Sequence, residues 1–536
     1  MNPQQAPPEP NRERPGRVAV LRYLAFTAAA TAVATMVRLA NMGVPEPDSF
    51  YHFRHAAVYA EKGLFSSAFP WLPYSPFSRF PSDIGYGFHL FLAPFTRFQS
   101  QMFGLQMAPV AEIAIMMVLL YATLRRHRIA YPFAWPFVVM FGGPTIVWML
   151  LQTRPQTLTM GLSALLLSSL VTGSAPGTFV CCLAIGFIHL NIVPVVPVIV
   201  AGVAIVKGLA ERRWEWRVWA AALGGAVAGL ALRPNALGAA KLEWVQIALH
   251  ESVRLRRIPI AFGEEWPPLP PGEWHNLMYL MAIWAGVTAI LLIGLATSRL
   301  RVGRQDRTFL WGSFALSVIF LIGTVGFTQR AAPFLVVFAV VFTAKAFSSF
   351  LDPRAAAAGQ WLGKRPRAAI SLAMVLLVAA MVREWSIESS IPGVVPMINP
   401  YRMQTAARWL REHGPRGKIV YNASWDMFPE LFFWNPDDRY VWGLDPIFLY
   451  EYDSDLYWKA HHLGAGEATS KTWGYEGPLA AGGEDTYMVL RRDFGASAII
   501  VEPLRHERLY RYLSGDPRYS LGVEGDGYAV FGLAPG

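Results

Sequence analysis

Long apolar segments separated by short polar ones occupy residues 18–386 of the chain. Segments of about 14 to 24 apolar residues predict helices that cross a lipid bilayer. We place eleven crossings, because this number puts every short basic loop on the same side of the membrane. The predicted crossings are residues 18–40, 107–124, 131–151, 156–173, 177–190, 192–206, 218–235, 276–297, 308–327, 330–350 and 368–386.

Two apolar segments determine how many crossings are predicted. Residues 84–98 are short and contain two glycines and a proline, as expected for a helix that lies in the membrane surface or re-enters it. Residues 180–206 are long enough for one tilted helix, but polar residues and prolines interrupt them, which predicts a turn between two crossings. Residues 41–105 and 236–275 then form two large loops on one side.

The pattern changes after residue 387, where the apolar runs shorten and glycine and proline separate them. The segments GKIVYNAS and GASAIIVEP predict buried strands, while QTAARWLREH and PLRHERLYRYLSG predict amphipathic helices. Residues 387–536 are therefore expected to form a small α/β domain. Residues 1–17, which are rich in proline and polar side chains, are expected to form a disordered cytoplasmic tail. The fold class that follows is mainly α, a polytopic helical bundle of residues 18–386 followed by this domain.

Composition agrees with a membrane protein, since hydrophobic residues make up 54% of the chain and charged residues only 16%. The net charge is +10, but acids outnumber bases in residues 387–536, so the basic excess belongs to the membrane part. Topology explains this excess, because basic loops stay cytoplasmic, and no nucleic-acid partner is expected. With an odd number of crossings, both large loops and the C-terminal domain face outside.

The stretch EPDSFYHFRHAAVYAEKG follows the first crossing and carries the densest group of candidate catalytic residues. Asp48, His52 and His55 occur at i, i+4 and i+7, a spacing that places all three on one face of a helix. The same spacing turns Phe50 and Tyr51 elsewhere. A catalytic base and its helpers have this arrangement, although capping of the helix alone would also explain Asp48.

Two arginines and two acids lie on the same expected side of the membrane. Arg154 and Arg330 begin predicted crossings, where a guanidinium either anchors a helix or grips the phosphate of a lipid in bidentate fashion. Glu264 and Glu265 lie in the second large loop, as catalytic acids or as solvated loop charges.

Four more polar residues fall on that side. His189 and Asn191, at the predicted turn, either contact a sugar or acceptor or only mark a break between helices. Trp425 and Asp426 follow a predicted strand, where they could form an ordinary turn at its end. The concentration of all these residues on one side predicts an active cleft at the outer membrane surface.

The order of these features resembles the GT-C glycosyltransferases, membrane enzymes that transfer sugars from polyprenyl phosphate or diphosphate carriers. Within that class, DSFYHFR is most similar to the first-loop motif of the oligosaccharyltransferase catalytic subunits. The chain departs from that family in two motifs. SWDMF has one tryptophan where the family has WWDYG, and TRPQT carries Arg154 where the family has an acidic pair that binds metal.

The resemblance implies roles for several residues. Asp48 would bind metal or activate the acceptor, Glu265 would be the acid of the later loop, and Arg330 would hold the carrier phosphate, with Arg154 as a second phosphate contact. His52, His55 and His189 would be supporting donors, and Asn191, Trp425 and Asp426 would contact sugar or acceptor. A divalent metal, Mg²⁺ or Mn²⁺, would have only Asp48 and Glu265 as ligands, an incomplete shell.

The implied function is transfer of a sugar or oligosaccharide from a polyprenyl-linked donor to a protein or glycolipid acceptor. The expected location is the cytoplasmic (inner) membrane of a bacterium or archaeon, with the reaction on its outer face. The alternative is a protein that binds or transports lipid-linked glycans without chemistry. Transporters often contain paired inverted repeats, and the sequence shows no repeat.

Overall fold

The structure, a computed structural model, describes residues 16–41, 43–212, 214–263, 265–296, 304–351, 397–466, 468–474 and 483–535. Its first part is a helical bundle and its last part is a small α/β unit, so the mainly helical fold with a C-terminal sheet is confirmed. The α-helices of the bundle are α1 (Arg17–Leu39), α2 (Asp48–Lys62), α3 (Pro76–Arg79), α4 (Tyr86–Leu92), α5 (Gln101–Arg126), α6 (Trp135–Met140), α7 (Pro144–Leu151), α8 (Gln156–Val171), α9 (Ala175–Ile188), α10 (Val195–Glu211), α11 (Trp216–Ala231), α12 (Ala236–Trp244), α13 (His250–Leu255), α14 (His275–Ala296), α15 (Arg304–Gly326) and α16 (Ala332–Ala346).

Five helical segments of the described residues are long and apolar enough to cross a membrane, and the protein is an integral membrane protein. They are Arg17–Leu39, Gln101–Arg126, Leu190–Glu211, Asp306–Gly326 and Gln329–Ser349. Four shorter apolar helices coincide with four other predicted crossings: Gln156–Val171, Ala175–Ile188, Trp216–Ala231 and Leu280–Gly294. The predicted crossing at residues 368–386 lies outside the described residues, as does most of the predicted tail, and the total of eleven stays a prediction.

The breaks between the apolar helices lie mostly where the sequence predicts them. Residues 84–98 contain only α4 and a short 3₁₀ turn, and a second 3₁₀ turn at Leu190–Ile192 separates α9 from α10, as expected. Residues 131–151, however, do not form one helix. They form α6 and α7, because the sequence Gly-Gly-Pro at 142–144 ends one helix and starts the next.

The C-terminal unit combines seven described strands with six described α-helices. The strands are β1 (Ile419–Asn422), β2 (Arg439–Tyr440), β3 (Lys471–Thr472), β4 (Glu484–Asp485), β5 (Ala496–Val501), β6 (Tyr519–Gly525) and β7 (Tyr528–Leu533), and the helices are α17 (Gln404–Glu412), α18 (Phe428–Trp434), α19 (Pro446–Tyr452), α20 (Ser454–Gly464), α21 (Thr486–Met488) and α22 (Glu507–Gly515).

Five of the strands form one sheet in the order β2-β1-β5-β7-β6, and β3 pairs with β4 separately. β1 is parallel to β2 and β5, whereas β7 is antiparallel to β5 and β6. The two strands and two helices predicted from sequence are confirmed as β1, β5, α17 and α22.

The first large loop packs directly on this C-terminal unit. Trp71 donates a hydrogen bond through Nε1 to the carbonyl oxygen of Pro436 at 2.6 Å, and the Tyr74 hydroxyl donates to the carbonyl oxygen of Phe494 at 2.8 Å. Aromatic and aliphatic side chains of both parts share one buried core. This contact holds α2 between the bundle and the C-terminal unit, which fixes the position of its first residues.

Candidate active site

A cavity of about 250 Å³ lies between α2, the loop before α8, the second large loop, the start of α16 and the C-terminal unit. Its lining includes residues from segments that are far apart in sequence. Seven residues singled out from the sequence line it together: Asp48, His52, Arg154, His189, Asn191, Glu265 and Arg330. The expected clustering of these residues in one cleft is therefore present in the structure.

The entry to α2 is fixed by hydrogen bonds at both sides of the preceding loop. Arg38, at the end of α1, donates to the carbonyl oxygens of Asn41 at 2.8 Å and Gly43 at 2.6 Å. Glu46 then accepts from the backbone N–H of Asp48 at 2.8 Å and from the Ser49 hydroxyl at 2.9 Å. Glu46 thus does the capping that the sequence suggested for Asp48, and the carboxylate of Asp48 makes no capping bond.

Arg154 is the centre of an ion-pair network in the cavity. Its Nη2 lies 2.6 Å from Oδ2 of Asp48 and 2.8 Å from Oε2 of Glu46, and its Nη1 lies 2.8 Å from Oε2 of Glu265. The backbone N–H of Thr153 donates to the Ser49 hydroxyl at 3.1 Å, which fastens this loop to α2. One guanidinium therefore joins three carboxylates that come from two separate loops.

Arg330 occupies the opposite end of the same network. Its guanidinium pairs with Oε1 of Glu265 and lies over the ring of Trp266, 3.8 Å from the ring centroid. The Thr328 hydroxyl donates to the carbonyl oxygen of Glu265 at 3.2 Å and accepts from the N–H of Arg330 at 3.3 Å. These contacts hold Arg330 in one orientation, with 27% of its side chain exposed.

Burial and charge act in opposite directions on the two carboxyl groups nearest the cavity. Burial raises the pKa of Asp48 to about 7, although Arg154 opposes the change. Burial also raises the pKa of Glu265, but Arg154 and Arg330 outweigh it and lower this pKa to about 2. Glu265 is therefore ionised at every physiological pH, while Asp48 takes up a proton near neutrality.

We expect Asp48 to titrate with a midpoint near pH 7, far above an ordinary aspartate. Because the raised pKa favours the protonated form, the carboxylate that pairs with Arg154 is complete only above about pH 7 and is lost as the pH falls below it. Infrared difference spectra should show a protonated-carboxyl band that grows through this range and is missing from Asp48→Asn. A band that appears only below about pH 5 would contradict the assignment.

The polar residues around the turn between α9 and α10 also reach the cavity. Asn191 donates through its side-chain amide to Oε1 of Gln246 at 2.8 Å, and both residues line the cavity. His189 lines it as well, and its Nδ1 is buried without a hydrogen-bond partner among the described residues. These side chains offer polar atoms to a ligand beside the charged network.

Three predicted site residues do not line the cavity: His55, Trp425 and Asp426. His55 is buried against Tyr51, with its Nδ1 3.1 Å from the tyrosine hydroxyl, so the helix face that carries Asp48 and His52 into the cavity does not carry His55 there. Asp426 pairs with Arg505 at 2.9 Å outside the lining.

Trp425, beside Asp426, reaches toward the loop that carries Glu265. Its ring lies beside Gly263, 3.8 Å from the position that a Cβ atom on this glycine would occupy. Trp425 itself is not part of the cavity lining. Glu264 lies outside the described residues.

Several cavity residues were not singled out from the sequence. Trp266, which directly follows Glu265, lines the cavity. Glu46, two positions before Asp48, does not line it but reaches the site through its pair with Arg154. Tyr51 lines the cavity, contrary to the expectation that it points elsewhere, because its large ring extends from a position beside Asp48 and His52. Leu444 and Phe448 come from the C-terminal unit, and only tertiary packing brings them here.

Asp48 and Glu265, the two residues expected to bind a divalent metal, are already engaged by a guanidinium. Each already gives a carboxylate oxygen to Arg154, at 2.6 and 2.8 Å. A divalent cation between them would have to displace this guanidinium and would lie close to two cationic side chains, Arg154 and Arg330. The donor set therefore suits a guanidinium better than a metal ion.

No protein-family model matches the chain, and no curated protein sequence matches it. Solved structures do match it in fold. ArnT from Cupriavidus metallidurans in the apo state has a TM-score of 0.53 at 14% identity, over 96% of this chain and 97% of that one. The same protein bound to undecaprenyl phosphate has a TM-score of 0.52 at 13% identity, over 96% and 98%.

The arabinofuranosyltransferase AftD from Mycobacteria also matches, with a TM-score of 0.53 at 14% identity over 96% of this chain. The match covers 40% of AftD, so this chain corresponds to less than half of that protein. ArnT and AftD are both GT-C membrane glycosyltransferases. The resemblance to the GT-C class seen in the sequence is thus confirmed for the fold, while the oligosaccharyltransferase subtype stays a prediction.

Proposed function

We propose that this chain, which has the GT-C fold, is a membrane glycosyltransferase that takes its sugar from a polyprenyl-phosphate or polyprenyl-diphosphate donor. The observation that carries the proposal is the cavity in which Asp48 and Glu265 stand beside the fixed guanidinium of Arg330. A transferase of this kind needs a cation for the departing phosphate and a carboxylate for the attacking group. The likeness to ArnT bound to undecaprenyl phosphate supports a carrier of this type.

Arg330 is the residue to which we assign the carrier phosphate. Among the described residues it has one carboxylate partner, its guanidinium is held over the ring of Trp266, and more than a quarter of its side chain is exposed. Arg154 has three carboxylate partners and is only 17% exposed, so a phosphate would have to compete with all of them. We therefore assign Arg154 the task of holding Glu46, Asp48 and Glu265 in place rather than that of binding phosphate.

We assign Asp48 the role of binding and orienting the acceptor. Its Oδ2 is held by Arg154, whereas its Oδ1 has no hydrogen-bond partner among the described residues. A hydroxyl or amide N–H of the acceptor can donate to this oxygen, which aims the neighbouring attacking group at the anomeric carbon. The sugar is then transferred with inversion, and Arg330 stabilises the negative charge that develops on the departing phosphate.

The remaining parts of the proposal follow from the topology predicted above. The cavity and the C-terminal unit would face the outer side of the cytoplasmic (inner) membrane, and residues 387–536 would form the extracytoplasmic domain. Protein and glycolipid acceptors both fit this location. Asp426 pairs with Arg505 outside the cavity, so the SWDMF motif gives no support for reading an acceptor peptide.

The test is a turnover assay on purified protein reconstituted with native polyprenyl-linked glycans. Mass spectrometry follows the free carrier phosphate and the glycosylated product. We expect the wild-type protein to release carrier, and Asp48→Asn to bind the donor without releasing it. A wild-type protein that binds the carrier but never releases it, across hydroxyl and amide acceptors, would favour the non-catalytic binder or transporter.

We expect transfer to continue when divalent metals are removed. Arg154 supplies the positive charge between Asp48 and Glu265, so chelation should leave the turnover rate within about twofold of the untreated enzyme. The rate is measured after dialysis against EDTA and again after addition of Mg²⁺ or Mn²⁺. Loss of activity on chelation and full recovery with metal would contradict a metal-independent site.

A further inference from the structure

Behind the cavity, three side chains form a hydrogen-bonded chain that ends at the cavity wall. Oδ2 of Asp83 lies 2.6 Å from Nδ1 of His89, and Nε2 of His89 lies 2.8 Å from Nδ1 of His52. Asp83 and His89 are buried, whereas His52 is partly exposed and lines the cavity. Neither Asp83 nor His89 was singled out from the sequence.

In the neutral form of His89, the order of hydrogen bonds sets where each proton lies. Ionised Asp83 can only accept, so the Nδ1 of His89 must donate to it, which leaves the Nε2 of a neutral His89 as an acceptor. The Nδ1 of His52 must then donate to this Nε2. A neutral His52 bound in this way keeps its Nε2 unprotonated, and His52 lines the cavity.

Asp83 is held ionised by its surroundings. Its Oδ2 accepts from the Tyr59 hydroxyl at 2.9 Å, and its Oδ1 accepts from the backbone N–H of Gly85 at 2.8 Å. Burial raises the pKa of Asp83, but the neighbouring His89, His55 and Arg233 outweigh it and leave this pKa well below its usual range. Asp83, the first member of the hydrogen-bonded chain, therefore always acts as a hydrogen-bond acceptor.

We propose that Nε2 of His52 takes the proton of the attacking acceptor group, and that His89 and Asp83 position His52 and stabilise the imidazolium that forms. This inference rests on the proposed function. In the step, the acceptor oxygen or nitrogen loses its proton to Nε2 and bonds to the anomeric carbon, whose bond to the carrier phosphate oxygen breaks. The electron pair of that bond leaves with the phosphate, which Arg330 receives, and the His52 proton later passes to solvent.

Burial and most of the charges that face His52 oppose a positive charge on its ring, whereas Asp83 favours one. Burial lowers the pKa of His52 well below its usual value, His89, Arg154 and His189 lower it further, and Asp83 raises it. His52 is therefore neutral before the reaction, as a base must be. The ring of Tyr51 lies tilted against His52 and edge-on to His89, with ring centroids 5.0 and 5.6 Å apart, and it carries no charge at neutral pH.

A metal ion is the competing explanation for this cluster. Side-chain ligand atoms of His55, Asp83 and His89 all lie within 4.8 Å of one another. The hydrogen bonds already described use Nδ1 and Nε2 of His89 and both oxygens of Asp83, so the cluster is satisfied without an ion. We therefore favour the proton-accepting chain, and the experiments below include a metal analysis.

The first experiment reads the protonation of His52 without any substrate. Solid-state NMR of the ¹⁵N-histidine-labelled protein in lipid bilayers gives the tautomer of each histidine, and His52→Gln identifies the signal of His52. We expect neutral His52 with its proton on Nδ1, and a different tautomer mixture in Asp83→Asn, because an amide can also donate to His89. A proton on Nε2 of His52, or stoichiometric zinc that is lost in His89→Gln, would overturn the proposal.

The second experiment measures turnover. His52→Ala should lower kcat about 100-fold or more with little change in KM, and added imidazole should restore part of the rate. Asp83→Asn should also lower kcat and should not respond to imidazole, while His413→Gln, a histidine of the C-terminal unit, serves as the matched control. Full activity of His52→Ala would overturn the inference alone. A wild-type protein without turnover would remove the proposed function, and the NMR result would still decide whether the chain exists.

Discussion

Replacement of Arg154 by alanine is expected to lower the free energy of unfolding by about 3 to 5 kcal/mol, because removal of one partner leaves buried charges uncompensated. Glu46 and Asp48 would lose their nearest cation, at 2.8 and 2.6 Å, and of its two described partners Glu265 would keep Arg330. None of these side chains is more than a third exposed, so solvent screens the loss only in part. Transfer should fall below detection, since the acceptor group loses its fixed carboxylate.

Thermal unfolding of the reconstituted protein measures this effect. Arg254→Ala is the matched control, because its pair with Glu251 is about 40% exposed on both sides and should contribute no more than about 1 kcal/mol. The carboxylates left in Arg154→Ala are ligands that Mg²⁺ and Mn²⁺ prefer, so either ion should raise the unfolding temperature of this variant and not that of the wild type. Equal stability of Arg154→Ala and Arg254→Ala would show that Arg154 does not organise the site.

Replacement of Arg330 by alanine is expected to lower kcat by about 100- to 1000-fold, the usual effect of removing one group that stabilises developing charge. Folding should be largely kept, because Glu265 retains Arg154 as a partner. Arg330→Lys keeps the charge but loses the planar guanidinium that lies over Trp266, so it should recover only part of the rate.

Carrier release and donor binding, measured separately, distinguish a catalytic loss from a folding defect. Arg505→Ala is the control, since this arginine pairs with Asp426 in the C-terminal unit, outside the cavity. Wild-type turnover in Arg330→Ala, with normal release of the carrier, would rule out the role assigned to Arg330.

The sequence predicted those features that depend on short stretches of chain. Hydrophobic period and length located the long helices, the turn near His189, and the strands β1 and β5. The apolar run at residues 131–151 is long enough for one crossing, but Gly-Gly-Pro at 142–144 divides it into α6 and α7, so the prediction of one helix there is wrong. The number of crossings requires knowledge of the bilayer position, which sequence length alone does not give.

The sequence predicted part of the site, namely the part that depends on spacing within one short helix. Helical spacing placed Asp48 and His52 correctly in one cavity, but spacing on a single helix cannot tell which turn of that helix meets other elements, and His55 is instead buried. The partners of Arg154 come from positions 46, 48 and 265, and Asp83 and His89 approach His52 from another part of the loop. Such contacts arise only from tertiary packing.

The central claim is that the cavity holds the phosphate of a polyprenyl carrier at Arg330. An experimental structure of the protein in lipid nanodiscs with added undecaprenyl phosphate tests it most directly. We predict phosphate density about 3 Å from the guanidinium of Arg330, with the pairs of Arg154 to Asp48 and Glu265 preserved. Phosphate bound to Arg154 in place of its carboxylates, or bound outside the cavity altogether, would contradict the account.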